Sequence, residues 1–156
     1  MASSIVRETI YAAFFALVSG DATFKTKSRL WQHWSDVPAE LQPALFMTQV
    51  VQAAKADRTG IPTIWELGAR IYLYANVGQQ SDGGKAPAQI LNPLVDKICD
   101  LIQPAQPGSG MITNEQTLGG LVTKCRISGD LVTDEGLLGP QGVVMIPVKI
   151  LVAGNA

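Results

Sequence analysis

The stretch Trp65-Glu-Leu-Gly-Ala-Arg-Ile-Tyr-Leu-Tyr-Ala-Asn-Val77 decides the fold. Trp65, Leu67, Ala69, Ile71, Leu73, Ala75 and Val77 alternate with Glu66, Gly68, Arg70, Tyr72, Tyr74 and Asn76. Successive side chains of a strand point to opposite sides, so this period of two describes a β-strand with one face on a core and one polar face. Upstream, the run Ala44 to Val51 reads as a second strand, apolar on both faces at its start. The polar segment Lys55-Ala-Asp-Arg-Thr-Gly60 is its tip, and Pro62 precedes the next strand, so the pair forms a long hairpin.

Working outward, a first helix is expected from about Ser4 to Ser19, with Val6, Ile10, Ala13, Phe14 and Leu17 at helical spacing and Gly20 as the stop. Ala12 to Val18 is apolar all round, which implies burial on more than one side. Asp36-Val-Pro38 turns the chain, and Asp82-Gly83 marks a turn within the loop Gln79 to Lys85. A second helix is expected to begin at Asn92 as N-cap with Pro93 in first position, its stripe being Leu94, Ile98, Leu101 and Ile102. Pro104 to Gly110 opens a long mobile loop that runs to about Leu118.

Two strands close the chain. Leu121, Thr123, Cys125, Ile127 and Leu131 alternate with Val122, Lys124, Arg126, Ser128 and Asp130, and Asp134-Glu-Gly136 turns. Val144, Ile146, Val148, Ile150 and Val152 share one face of the last strand, where Pro147 predicts an edge position or a bulge. The expectation is an α+β fold over residues 1–156 as one domain: an antiparallel sheet of about four to five strands with two main helices packed on one face. The opposite face would carry Arg70, Tyr72, Tyr74, Lys124 and Arg126, either solvated or meeting a partner.

Composition narrows the functions. Twelve cations against 13 carboxylates and a pI near 5.7 disfavour nucleic acid as the main ligand, because duplex binders show a clustered basic excess. The charged fraction is 16% where about 25% is usual, so either much of the surface is buried between subunits or it is built of Ser, Thr, Gln and Asn. Cys99 and Cys125 read as buried thiols, not as a disulfide framework. The apolar run Ile10–Val18 falls short of a membrane span, and with Glu8 ahead of it and no A-x-A site after it, it is expected to stay as a helix of the mature protein and not to act as a signal peptide. A cytoplasmic site of synthesis is expected.

No catalytic constellation is legible. The phosphate-loop pattern GxxxxGK[ST] and the GxSxG elbow are missing from the sequence, and a single histidine rules out HExxH and zinc-finger spacings. His33, with Ser35 and Asp36 two and three positions away, lacks the sequence separation from which triads converge. Asp134-Glu135 reads as a solvated strand-end turn. No metal, cofactor or catalytic residue is expected.

Two segments carry a resemblance. One is Arg29-Leu-Trp-Gln-His-Trp34 leading into Asp36-Val-Pro-Ala-Glu-Leu-Gln-Pro-Ala-Leu-Phe46. The other comprises Thr117-Leu-Gly-Gly120, Cys125-Arg-Ile-Ser-Gly129, Asp134-Glu-Gly136, Gln141-Gly142 and Ile146-Pro-Val-Lys-Ile-Leu-Val152. Together with Leu91-Asn-Pro-Leu-Val-Asp-Lys-Ile98 they resemble tail terminator, or tail-completion, proteins of long-tailed double-stranded DNA phages, similar to the lambda-type terminator. The resemblance implies an α+β subunit, not an enzyme, in a ring, usually a hexamer. Such a ring caps the tail tube, stops its growth and docks the head-side connector or neck protein. DNA would only pass through its lumen, without sequence-specific binding. The implied location is the neck end of the virion tail, after assembly in the host cytoplasm.

Three sets of residues are the expected contacts. Lys55, Asp57 and Arg58 at the hairpin tip would reach a neighbouring ring, the loop Pro104–Thr117 would order on assembly, and Arg29, Trp31 and Trp34 would anchor packing. The nearest competing reading is another neck component, a head-closure or head-tail adaptor protein. A ligand-binding or enzymatic α+β domain with a pocket beside His33 is the competitor from another class.

Overall fold

A computed structural model describes residues 5–77, 86–103, 115–136 and 140–154, apart from the side chains of 56 and 57. The long hairpin is its backbone. Strand β2 (Ala44–Arg58) pairs antiparallel with β3 (Ile61–Asn76). Only Thr59 and Gly60 turn between them, with Gly60 at φ 85°, a left-handed value that glycine adopts without strain. Lys55 therefore sits inside β2 and not at the tip where it was expected.

The remaining strands build on this pair. A three-residue strand β1 (Thr26–Ser28) lies parallel to the start of β2. On the other side β6 (Gln141–Ala153) runs antiparallel to the whole of β3. Strand β4 (Lys124–Ile127) covers the second half of β6 and β5 (Val132–Asp134) part of its first half. The sheet order is β1-β2-β3-β6-β4, with β5 also on β6. The fold is α+β with six strands, slightly more than expected, and mixed because of β1.

Strand β6 is thus interior, and its register with β3 runs through Pro147 without a shift, so neither the edge position nor the bulge expected from that proline is found. The main-chain N–H of Ser128 donates to the Pro147 carbonyl, 3.1 Å. A strand residue's N and C=O point to the same side, so the missing N–H of Pro147 faces the gap between β4 and β5. No ladder bond is lost there.

Helix α1 (Arg7–Val18) and helix α2 (Pro87–Ile102) pack on one face of the sheet. Ile10, Tyr11, Phe14 and Val18 of α1 are buried, but Ala12 and Ala16 are exposed, so within this chain the helix is covered on one side only. The expected start at Ser4 lies outside the described residues. Helix α2 begins at Pro87, not after Asn92. Pro87 takes the first position, and the Ala86 N–H donates to Gln89 Oε1 at 2.7 Å. Pro93 consequently lies inside the helix, where it cannot donate to the Gln89 carbonyl. The earlier start extends the buried stripe to Leu91, Leu94, Ile98 and Ile102. Burying Leu91 contributes about 1.5–3 kcal/mol, which offsets much of the proline penalty. The Asp82-Gly83 turn and residues 104–114 of the long loop lie outside the described residues.

The main core joins Ile10, Phe14, Leu91 and Ile98 of the helices to Leu67, Ile71, Leu73, Ile146 and Ile150 of the sheet. The alternation of β3 holds: its odd-numbered residues from Leu67 to Val77 are all buried. Cys125 is buried in this core and Cys99 is half-buried.

One irregularity shapes the hairpin. Gln49 pairs with Ala69 and Gln52 with Leu67, so Val50 and Val51 together oppose the single residue Gly68. This is a β-bulge, and it bends the strand. A Cβ on Gly68 would stand 2.6 Å from the Val51 carbonyl oxygen, which explains the glycine. On the core side the Tyr11 hydroxyl donates to the Gly68 carbonyl at 3.0 Å, bracing the bulge against α1.

Candidate functional site on the face away from the helices

The sheet face opposite the helices is divided. At one end the segment from Arg29 to Gln42, with its two short 3-10 turns, folds over the sheet and makes a second small core of Val37, Ala44, Phe46 and Tyr74, flanked by Trp34 and Tyr72. Tyr74 is buried there, and its hydroxyl donates to the Gln32 carbonyl at 2.8 Å. Burial pushes that phenol up to about 12. The even residues of β3 thus do not form one solvated face: Tyr74 and half-buried Tyr72 belong to the covered end, and Arg70 to the open one. Trp31 remains 43% exposed and meets Tyr72 edge-on at 5.9 Å. The side chains Arg29 and Glu8 form a two-pronged ion pair between this segment and α1, and the hydrogen bond from Arg29 holds the Glu8 carboxyl below its ordinary value. A depression of about 490 Å³ lies against them, lined also by Met47, Thr48 and Gln49.

His33 caps the first of the short turns. Its Nδ1 accepts from the Ser35 N–H at 3.2 Å and lies 2.7 Å from Ser35 Oγ, all on the exposed surface. That contact is a local cap between residues two apart, and His33 lines none of the depressions described here. Among the described residues no group of three His, Cys, Asp or Glu side chains stands close enough to hold a metal ion. No helix among them is long and apolar enough to cross a membrane.

The other end of this face is uncovered and cationic. Lys124 and Arg126 project from β4, Lys149 from β6, Arg70 from β3 and Lys55 from β2. Glu66 stands among them, 3.3 Å from Lys149 and 3.6 Å from Lys55. Arg126 pairs with Glu115 at 2.6 Å. Arg126 and Lys149 are direct cross-strand partners, an arrangement of like charges that is destabilising by itself. Two clefts of about 290 Å³ each meet at Glu66, Ser128 and Lys149. One reaches Val50, Gly68 and Pro147 at the bulge, and the other runs along Lys124 and Arg126. Beside them Val51 is 76% exposed and Val50 39%. This is an apolar lip beside a charged surface.

Of the expected contact residues, the structure brings Lys55, Arg70, Lys124 and Arg126 to one surface, and Arg29, Trp31, Trp34 and Tyr72 to the covering segment. Tyr74 is removed to the interior, Arg58 remains at the hairpin end, and the Asp57 side chain lies outside the described set. Sequence reasoning missed Glu66 and Lys149 as members. The signal for Lys149 was present, since it stands out of phase with Val148 and Ile150 in β6. The signal for Val51 was not, because only the bulge turns it outward beside Val50. The chain matches no protein-family model and no curated protein sequence.

Proposed function

We propose that this protein is a structural subunit of a phage tail, closing into a ring that caps the tail tube, stops its polymerisation and offers a docking surface to the head-side connector. The observation that carries the reading is the uncovered half of the sheet, where five cations, two clefts and the exposed Val50 and Val51 lie together on a chain otherwise poor in charge. Such a surface suits a ring subunit, which has two flanks to hide. A head-to-tail contact between identical subunits yields a closed ring when the rotation per step closes, and a filament when it does not. The resemblance of Arg29–Phe46 and Thr117–Val152 to tail terminators supplies the place in the virion.

Negative-stain microscopy of the purified protein mixed with unterminated tail tubes tests this. The expected result is a ring on one end of each tube and an end to further elongation. Tubes that keep growing, with bare ends, would overturn the reading.

A further inference from the structure

Resting on that reading, we infer that the cationic half of the sheet is the ring contact itself, and that it receives the outer face of helix α2 from a second copy of this chain. Of the 11 cationic and 11 carboxylate side chains among the described residues, five cations and two carboxylates lie on or beside the uncovered sheet. The other described residues therefore carry six cations against nine carboxylates. A nearly neutral protein is thus divided into a basic face and an acidic remainder, and its own surface complements it.

The best-placed acidic element is α2. Asp96 and Asp100 are both exposed, one turn apart on the side of the helix turned away from the buried stripe of Leu94 and Ile98. Neither carboxylate is in an ion pair among the described residues, whereas the intervening Lys97 is already committed to Asp21 and Thr23. One helical turn separates the two carboxylates by ~6 Å along the axis. Lys124 and Lys149 stand diagonally on neighbouring strands, ~7–8 Å apart. The spacings match well enough for one lysine to meet each aspartate, with Lys149 sharing its charge between the incoming carboxylate and Glu66, 3.3 Å away.

A nucleic-acid backbone fits this surface less well. The lip of Val50, Val51 and Pro147 offers apolar contact that a phosphate cannot use. The sheet and helix faces lie on opposite sides of the subunit, so the contact is head-to-tail, as ring closure requires.

The test is a charge exchange read by sedimentation velocity on the full chain at low ionic strength. Lys124→Glu/Lys149→Glu makes both faces acidic, and Asp96→Lys/Asp100→Lys makes both basic. Each variant alone is expected to self-associate at least tenfold more weakly than the parent. An equal mixture is expected to regain parental association, because every contact in an alternating ring again joins opposite charges. Recovery in the mixture also shows that both variants are folded. If either variant associates as the parent does, or if the mixture of two variants with parental melting curves fails to recover, the assignment of this contact is overturned. Rings on tube ends in the presence of that failure would leave the capping reading standing. A parent protein that neither self-associates nor decorates tubes would overturn both.

Discussion

Replacing Gly68 by Ala tests the packing that sets the shape of the hairpin. The new Cβ would stand 2.6 Å from the Val51 carbonyl oxygen and 2.9 Å from Val50 Cγ2. The first of these is main chain held in the bulge, so a side-chain rotation cannot relieve the clash. Overpacking of this kind costs roughly 1–3 kcal/mol. If the strand shifts to escape, the Tyr11 hydroxyl loses its bond to the Gly68 carbonyl, which adds about 1 kcal/mol. The total of ~2–4 kcal/mol corresponds to a fall in Tm of roughly 5–15 °C for a chain of this length. Two glycines serve as controls. Gly60 has no heavy atom near its Cβ position but a positive φ, so Ala there costs ~1–2 kcal/mol from the left-handed conformation alone. At Gly142 the Cβ would meet the tips of the Leu91 side chain at 2.8 and 3.1 Å and Val77 Cγ1 at 3.1 Å, side-chain atoms and not main chain, so small side-chain shifts relieve part of that clash. Urea unfolding followed by circular dichroism should therefore rank Gly68→Ala as the most costly of the three. A Gly68→Ala protein within ~0.5 kcal/mol of the parent would refute the account of the bulge. The cycle with Tyr11→Phe should be non-additive, since both changes act on the same carbonyl.

Two further outcomes follow from the fold. Pro93→Ala restores the donor for the Gln89 carbonyl and should stabilise the protein by ~1–3 kcal/mol, seen as a higher urea midpoint, because Pro93 is exposed and packs no core; a lower midpoint would mean that the proline is needed. Burial raises the Cys125 thiol and the Tyr74 phenol each to about 12 in the folded protein. The folded state holds these protons more tightly than the unfolded chain does. Their contribution is therefore fully present below about pH 9 and is lost as the pH climbs towards 12, so the urea midpoint should decline across that window. Tyr74→Phe should flatten the upper part of the decline, and a midpoint independent of pH from 9 to 12 would contradict the burial of both groups.

The surface that carries the functional reading was only partly legible beforehand. Lys124, Arg126 and Arg70 fall on the outer face by alternation alone, and the structure leaves them there. Tyr74 obeys the same alternation and yet is buried, because the chain from Arg29 to Gln42 folds back over its end of the sheet. Periodicity records which side of a strand a residue occupies, and it is silent about a distant segment that arrives to cover that side. Lys55 shows the converse: read as part of a charged tip, it joins the cationic face because pairing continues to Arg58 and Ile61.

By itself the sequence determined the elements whose burial is periodic. The two-residue repeat of Trp65–Val77 and the stripe of Leu94, Ile98 and Ile102 required an amphipathic strand and helix, since no other arrangement hides those side chains together. Tertiary structure decided the rest. It started α2 at Pro87, because Leu91 had a core to enter, and it admitted Pro147 into an interior strand, because β4 ends before β5 begins. It also set two valines opposite one glycine, because Tyr11 and the register of β2 on β3 meet at that point. In each case the energy comes from a neighbour remote in the chain, which a local pattern of apolar and polar residues does not encode.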